Sequence, residues 1–424
     1  MRIAVVGAGV VGTAVAWELT ARGHEAVLID RCDAVAQETS YANGAQLHAG
    51  HAAPWNPPGV LRDALAWLGK ADSPLRVNPL RVLRAPAWSL RFLANATAER
   101  YRRHADANAA LALYGLRYAR AWRDELGLAL EGHDSGILKL FDDHRALAKG
   151  REEAEAVAAL GIRHRLLDAE AAVAREPALA DSAAQLAGAI EFPDDGYGDA
   201  LRFTEQLAER LQAEGGELRL GTRVRRLLGD RGGVTGVATD RGPIQADAVI
   251  VAAGSYSPAL TRPLGVRLPI EPIKGYSVTL DLAGTAGAPA TPIIDDPRKV
   301  VITRLGDQLR IAGKAEITGF DERLQERRWQ AVRRQGLARF PRLAEQLADA
   351  PSHPWAGLRP MTCDGPPILG PTPVPRLHLA AGVGHLGWTF AAGSARLVAD
   401  QLEGRPCELD PAPYRLDRYR RRTG

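Results

Sequence analysis

Cysteine is sparse in this chain of 424 residues: Cys32, Cys363 and Cys407 are all it has, and they stand far apart. That spacing suits neither a disulfide framework nor a zinc site, and it points to a reducing compartment. No run approaches the roughly 18 consecutive apolar residues that a membrane-spanning helix needs. The apolar opening is interrupted by glycines and lacks a cleavage site, so it does not read as a signal peptide. Neither sign of charge is in large excess, with 54 basic against 50 acidic residues and a net charge of +4. That balance permits nucleic-acid contact without arguing for it, and no DNA- or RNA-reading motif accompanies it. Repeats and low-complexity tracts are absent. What remains is an ordinary soluble composition, 46% hydrophobic and 25% charged, long enough for two domains and a large core. A cytoplasmic protein is expected.

The most informative stretch is the first, MRIAVVGAGVVGTAVAWELTARGHEAVLID. Ile3 to Val6 reads as a buried parallel strand. Gly7, Gly9 and Gly12 follow in G-x-G-x-x-G spacing, and a helix runs from about Val10 and Val11 to Arg22. Gly7 makes the tight turn, Gly9 lets backbone amides approach a pyrophosphate, and Gly12 allows helix and strand to pack closely. The helix N-terminus offers its positive dipole end to the phosphates. A second strand, Ala26 to Ile29, ends on Asp30, which suits a ribose diol. Arg31 suits a 2′-phosphate, but the adjacent Asp30 would repel one. An ordinary βαβ turn is the alternative; the ordered set of strand, glycines, helix, strand and acid favours a dinucleotide site. The motif fits NAD and FAD alike.

Cys32 to Trp55 reads as a loop whose small and amide residues, Thr39, Ser40, Asn43, Gly44 and Gln46, suit a backbone lying against a flat cofactor. Residues 59 to 104 read as short helices punctuated by Arg and Pro. From Leu75 to Phe92, apolar residues interleave with Arg76, Arg81, Arg84 and Arg91. Such a stretch rests either on an anionic bilayer, at the inner face of the cytoplasmic membrane, or on the protein's own core. A long helix is expected over Ala105 to Leu126, a strand over Gly136 to Phe141, and a helix over Leu147 to Leu160. Leu186 to Phe192 is a further strand, followed by the turn PDDGYGD and a helix from Leu201 to Gly215. GGELRLGTRVRRLL supplies two strands, and Val234 to Ala238 and Ala248 to Ala252 two more, the last a parallel-type strand running into Ala253 and Gly254. Leu268 to Leu282 and Pro292 to Ile311 read as antiparallel strands, Glu322 to Phe340 as a helix, and RLHLAA as a strand. GVGHLGWTF then opens a last helix, Ala391 to Leu402, and the basic tail RYRRRTG is expected to be disordered.

Parallel-type strands at the beginning, middle and end of the chain indicate an α/β fold class with a Rossmann-like dinucleotide domain built from discontinuous segments. Residues 1–55, 193–266 and 353–424 would form it. Residues 56–192 and 267–352 would form an α+β second domain with a mixed, largely antiparallel sheet and helices.

Gly7–Gly12 with Asp30, ETSYANGAQ with AAPW downstream, VIVAAGSYS, PIKGYSVTL, GLRPMT-DG and GHLGWT together resemble the FAD-dependent D-amino acid oxidase/glycine oxidase superfamily. Within it, the chain is most similar to the small-subunit family of bacterial D-amino acid dehydrogenases. The motifs run in order from residue 1 to about 404, and what they imply is FAD. The resemblance places Asp30 on the adenosine ribose and the backbone of Val224 on the adenine. Ser40, Asn43, Gly44 and Gln46 would line the flavin ring. Gly384, His385, Leu386, Gly387, Trp388 and Thr389 would sit at its pyrimidine end. Arg359 would grip the substrate carboxylate. Tyr276 is either a second pocket residue or an ordinary strand tyrosine, and Asp364 with Gly365 a turn that shapes the flavin loop.

The implied activity is oxidation of a D-amino acid by hydride transfer to flavin N5, giving a 2-oxo acid and ammonia. A quinone or another acceptor, rather than oxygen, would take the electrons. Glycine, sarcosine or D-proline oxidation is the near alternative, and a flavin-binding assembly subunit the distant one. The chain departs from the family pattern at His51 for Tyr, His48 for Ser, His385 for Thr, Cys363 for Pro, and Lys314 for an uncharged residue. Facing the substrate, these residues favour a polar or acidic side chain; a lysine near flavin N5 would instead favour reaction with oxygen.

Overall fold

The opening strand, Arg2–Val6, is buried from Ile3 onward, as its unbroken apolar run requires. In the computed structural model, which describes residues 1–67 and 73–420, this strand is flanked in parallel by Glu25–Ile29 and Ala248–Val251. Glu217–Arg219 extends the sheet in parallel past Glu25–Ile29. Leu377–Ala381 does so past Ala248–Val251, and Ile368–Pro371 closes that edge antiparallel. Six strands from three distant parts of the chain thus make one sheet. Helices Val10–Ala21 and Gly387–Glu403 pack together beside it, and the long helix Ala98–Leu126 lies against the latter. That last contact is tight: a Cβ on Gly115 would stand 2.2 Å from the carbonyl oxygen of Thr389. The glycine therefore fixes where the first turn of helix Gly387–Glu403 sits.

The second sheet has nine strands. Ser352–Thr362, Ile270–Asp281, Gln308–Ile317, Val300–Leu305 and Ile293–Asp295 follow one another antiparallel. Ile137–Phe141 joins in parallel, Gly188–Phe192 and Arg165–Leu167 complete the row, and Leu75–Val77 pairs beside Gln308–Ile317. Helix Glu326–Leu337 covers one face, burying Val332 and Leu337 against Val278, Leu280, Ile302 and Ile311. Beneath it Arg339 is fully buried and is held by Asp295 at 2.7 Å. The α/β class and the mixed second sheet agree with the sequence reading.

Ser352–Thr362, which spans the expected segment boundary at 353, pairs along its whole length with Ile270–Asp281. Several element bounds are corrected. The last helix begins at Gly387, one turn before Ala391, and is buried from Trp388 onward where the motif suggested loop. The long helix begins at Ala98, capped by the Thr97 side chain. Leu75–Val77, Arg165–Leu167 and helix Ala169–Arg175 were not anticipated, since such short elements exist through their non-local partners. Residues 68–72, within the expected run of short helices, lie outside the described residues. No helix among the described residues is long and apolar enough to cross a membrane.

The tail is corrected too. Residues 421–424 lie outside the described residues, but Arg418 and Tyr419 are ordered. The Arg418 guanidinium bonds Asp364 at 2.9 Å and the Tyr419 hydroxyl donates to the same carboxylate at 2.6 Å. The turn at Asp364–Gly365 is thereby tied to the chain end. Arg418 holds the buried Asp364 below its ordinary 3.8, against the opposing effect of burial. Asp364 therefore contributes stability above pH 3.8 that fades as pH falls through its depressed value. Arg418→Ala should cost about 3 kcal/mol at neutral pH by leaving that carboxylate without its cation. Urea unfolding should show the deficit at pH 7 and a smaller one in acid below the depressed value of Asp364.

Candidate active site

One cavity of about 1280 Å³ is lined by both sheets. At one end stands the glycine turn. Gly7 has φ +111°, and a Cβ there would lie 2.5 Å from the Ala252 carbonyl oxygen. Gly9, Val10 and Val11 line the cavity, and Ser40 Oγ accepts from the Val10 amide at 3.1 Å. Gly12 does not line it; its Cβ would fall 1.8 Å from the Gly7 carbonyl oxygen, so its part is the close packing of helix on strand. Asp30 lines the cavity while accepting from the amides of Ala8 at 2.7 Å and Cys32 at 2.9 Å. Its carboxylate has lone pairs beyond those two bonds to offer a diol. Arg31 lines it too, but is ion-paired with Glu38 and lies 4.0 Å from the Tyr256 ring centroid, so its cation is already engaged.

Ser40, Asn43, Gly44, Gln46, Val224, Ala253 and Gly254 all line the cavity. Gln46 donates to the Ile293 carbonyl at 3.1 Å, while its own buried side-chain oxygen has no protein partner. Thr39 and Ser255 both donate to the carbonyl of Leu358, at 2.8 and 3.1 Å. Two loops from the six-stranded sheet are thus pinned to one strand of the nine-stranded sheet. Gly384 and Val383 reach the same strand through Pro360 and Met361.

Arg359 stands on that strand. Ile273, Gly275 and Ser277 pair with Arg359, Gly357 and Trp355, so these side chains share one face, toward the cavity. A Cβ on Gly275 would lie 2.2–2.5 Å from the three terminal guanidinium atoms of Arg359; the arginine occupies the space that any side chain there would fill. Its Nη1 donates to the Lys314 carbonyl at 3.0 Å. No carboxylate among the described residues pairs with it, and burial pulls its pKa down to about 10. Trp55 lies beside it, ring centroid 5.3 Å from the guanidinium carbon, and stacks on His385 at 5.0 Å. Trp55 stands out in the sequence only as the aromatic ending AAPW, without an assigned role.

His48 and His51 line the same end with rings 5.8 Å apart. Burial holds His48 down to about 4 and pushes His51 and His385 well below their ordinary value, with neighbouring cations adding to the effect on the latter two. All three imidazoles are neutral at pH 7. Gly384, Gly387 and Trp388 line the cavity, whereas Leu386 and Thr389 do not. Leu386 caps the helix, and Thr389 Oγ1 accepts from the His48 amide at 3.3 Å.

Two expected pocket side chains are turned away. Tyr276 and Lys314 touch the cavity, but the Tyr276 hydroxyl donates to Glu316 at 3.2 Å and the Lys314 ammonium to Gln335 at 2.8 Å. Strand alternation puts Tyr276 on the face opposite Gly275. Lys314 sits in the register shift between the pairs Lys274–Glu316 and Tyr276–Gly313, at φ +62°. Both side chains join the buried Glu316–Arg328 pair, 2.6 Å apart, under helix Glu326–Leu337 or the helix itself.

Asp195, unremarked in the sequence within the turn PDDGYGD, holds the histidine loop. Its carboxylate accepts from the amides of Ala49 at 2.8 Å and Gly50 at 3.2 Å, between His48 and His51. Burial raises its pKa from 3.8 to about 7, the two amides only partly offsetting it. A raised folded value means that ionising Asp195 opposes folding, so its contribution to stability falls as pH rises from 3.8 toward 7. Asp195→Asn should flatten the decline of the melting temperature between pH 5 and 8, a component on the order of a few kcal/mol. An unchanged pH profile would show that Asp195 does not titrate there.

The sequence matches the family described as FAD dependent oxidoreductase (DAO) over residues 2–401, and the chain belongs to that family. It is 42% identical over 420 residues to a D-amino acid dehydrogenase of Paramagnetospirillum magneticum, covering 99% of each chain. A D-amino acid dehydrogenase of Rhizorhabdus wittichii is 40% identical over 419 residues, 99% of this chain and 100% of that one. An uncharacterized oxidoreductase of Halorhodospira halophila is 77% identical over 219 residues, 52% of this chain and all of that one. Among solved structures, glycine oxidase from Geobacillus kaustophilus shares the fold, with TM-score 0.78, 24% identity and 99% of each chain covered. The cavity fits the family's cofactor. The N-termini of helices Val10–Ala21 and Gly387–Glu403 both face it, and neither has an acidic residue in its first turn. Anionic groups are favoured at both positions, and the buried side-chain oxygen of Gln46, without a partner among the described residues, offers an acceptor in the same cavity.

Proposed function

We propose that this FAD-dependent oxidoreductase is a D-amino acid dehydrogenase, releasing 2-oxo acid and ammonia and passing electrons to a quinone or similar acceptor. One observation carries the reading: a part-buried guanidinium, with no acidic partner among the described residues, facing the cavity across Gly275. The full-length likeness to D-amino acid dehydrogenases supports it. FAD, when bound, accepts a hydride from the substrate α-carbon. Arg359 takes the carboxylate through two parallel N–H bonds and so fixes the orientation of that carbon. Asp30 would hold the ribose, Val224 the adenine, and the amides at Gly9–Val11 the pyrophosphate. Ser40, Asn43, Gly44 and Gln46 would line the flavin. The first amides of helix Gly387–Glu403 would stabilise negative charge developing on it. Trp55, stacked on His385, flanks the Arg359 guanidinium. Lys314 commits its ammonium to Gln335, which favours an acceptor other than oxygen. A glycine- or proline-type oxidase remains the near alternative, and an intact carboxylate grip argues against a mere assembly subunit. On this reading the cofactor domain comprises residues 1–55, 193–266 and 363–424, and the substrate domain the rest.

Helices Pro79–Arg84 and Pro86–Ala94 support peripheral membrane contact. Leu80, Leu83 and Leu90 are 65–73% exposed there, and residues 73–98 hold four arginines and no acid. Trp88, Phe92 and Leu93 of the second helix line the cavity. An apolar acceptor dissolved in an anionic bilayer would thus meet the cavity's apolar side.

Arg359→Ala should raise KM for D-alanine by about 100-fold or more, with FAD still bound. Gly275→Ala should raise it by about tenfold by displacing the guanidinium. Anaerobic bleaching of the flavin absorbance by D-amino acids reads both, and an unchanged KM in Arg359→Ala would remove it from the substrate site. A peroxide assay in air separates oxidase from dehydrogenase. Leu83→Glu with Leu90→Glu should abolish flotation with phosphatidylglycerol vesicles while reduction of a soluble dye persists; retained flotation would refute the membrane surface.

A further inference from the structure

The cavity has a second cation that the carboxylate grip does not use. Lys139, on strand Ile137–Phe141, is 6% exposed and lines the cavity. Its nearest carboxylates are Glu153 at 3.6 Å and Asp296 at 3.7 Å, both too long for hydrogen bonds. Each of those acids also faces another lysine. Lys149 is 3.8 Å from Glu153, and Lys299 is 3.0 Å from Asp296. Three lysines therefore face two carboxylates in this lobe. The third nearby acid, Asp295, is held by Arg339 and Arg298. An ammonium has three donors, and neither carboxylate lies within hydrogen-bond distance of this one. The lobe is continuous with the reacting end: Lys139, His51, His48 and Arg359 line one cavity, and the rings of His48 and His51 lie 5.8 Å apart.

We propose that Lys139 receives a hydrogen-bond acceptor at the far end of the substrate side chain, so that this enzyme prefers D-amino acids bearing a side-chain carboxylate or carboxamide. The proposal rests on the D-amino acid reading above. Arg359 takes the α-carboxylate, Lys139 the distal group, and the neutral imidazoles of His48 and His51 lie along the route as uncharged polar walls. The net positive balance of the lobe places the carboxylate ahead of the carboxamide. No bond is made or broken at Lys139.

Two measurements on the FAD-loaded enzyme test it. Glutarate and pentanoate, neither of which reacts, are titrated against the oxidised flavin spectrum. Glutarate should bind about tenfold more tightly in the wild type, and the ratio should fall to near one in Lys139→Met while Lys139→Arg retains most of it. In steady state, D-glutamate should exceed D-norvaline in kcat/KM by a similar factor, with D-glutamine between them. Equal affinities in the wild type, or equal weakening of both acids by Lys139→Met, would overturn the proposal. Lys139→Gln gives the same comparison should the methionine variant not fold. If glutarate is preferred through Lys139 but no D-amino acid reduces the flavin, the reaction reading fails and takes the substrate preference with it, leaving an anion site alone.

Discussion

The unbroken pairing of Ser352–Thr362 with Ile270–Asp281 is the constraint on which the site depends. One strand in the nine-stranded sheet carries Arg359, and its carbonyls at Leu358 and Pro360 receive three loops that issue from the six-stranded sheet. A slip of one residue would turn Arg359 to the helix-covered face and break all three attachments. The cofactor loops and the substrate arginine are therefore positioned by the same backbone. This also accounts for Gly275: the register sets the arginine diagonally across that residue, and only a residue without a Cβ leaves room.

Electrostatically, the cavity is prepared for negative charge at several points. Two helix N-termini open on it without acidic residues to quench them. A part-buried guanidinium lines it with no carboxylate partner among the described residues, and desolvation lowers its pKa, so a substrate carboxylate is the charge that compensates it. Burial lowers the pKa of the imidazoles as well, so they add polarity without adding like charge beside Arg359. Binding energy is thus concentrated on a few anionic positions.

The opposite face of the same sheet uses its charges for structure. Glu316 and Arg328, both buried, pair beneath helix Glu326–Leu337 and receive Tyr276, while Lys314 bonds Gln335 on that helix. The two faces lie one side chain apart in sequence. That proximity makes Tyr276 and Lys314 resemble pocket residues when read along the chain, although their polar ends lie behind the pocket wall.

The sequence by itself determined the dinucleotide turn, because strand, glycines, helix and acid are contiguous and each is set by local sterics and dipoles. It also determined the alternation of parallel-type and antiparallel segments, and it marked Arg359 through a recognisable motif. Only the tertiary structure decided which side chains face the cavity, since that follows from register, from a bulge at Lys314, and from contacts such as Gly115 on Thr389 that join residues hundreds of positions apart. Asp195 and Lys139 were invisible along the chain for the same reason. A carboxylate in a turn and a lysine in a strand acquire their meaning from burial and from the partners that distant segments supply, or withhold.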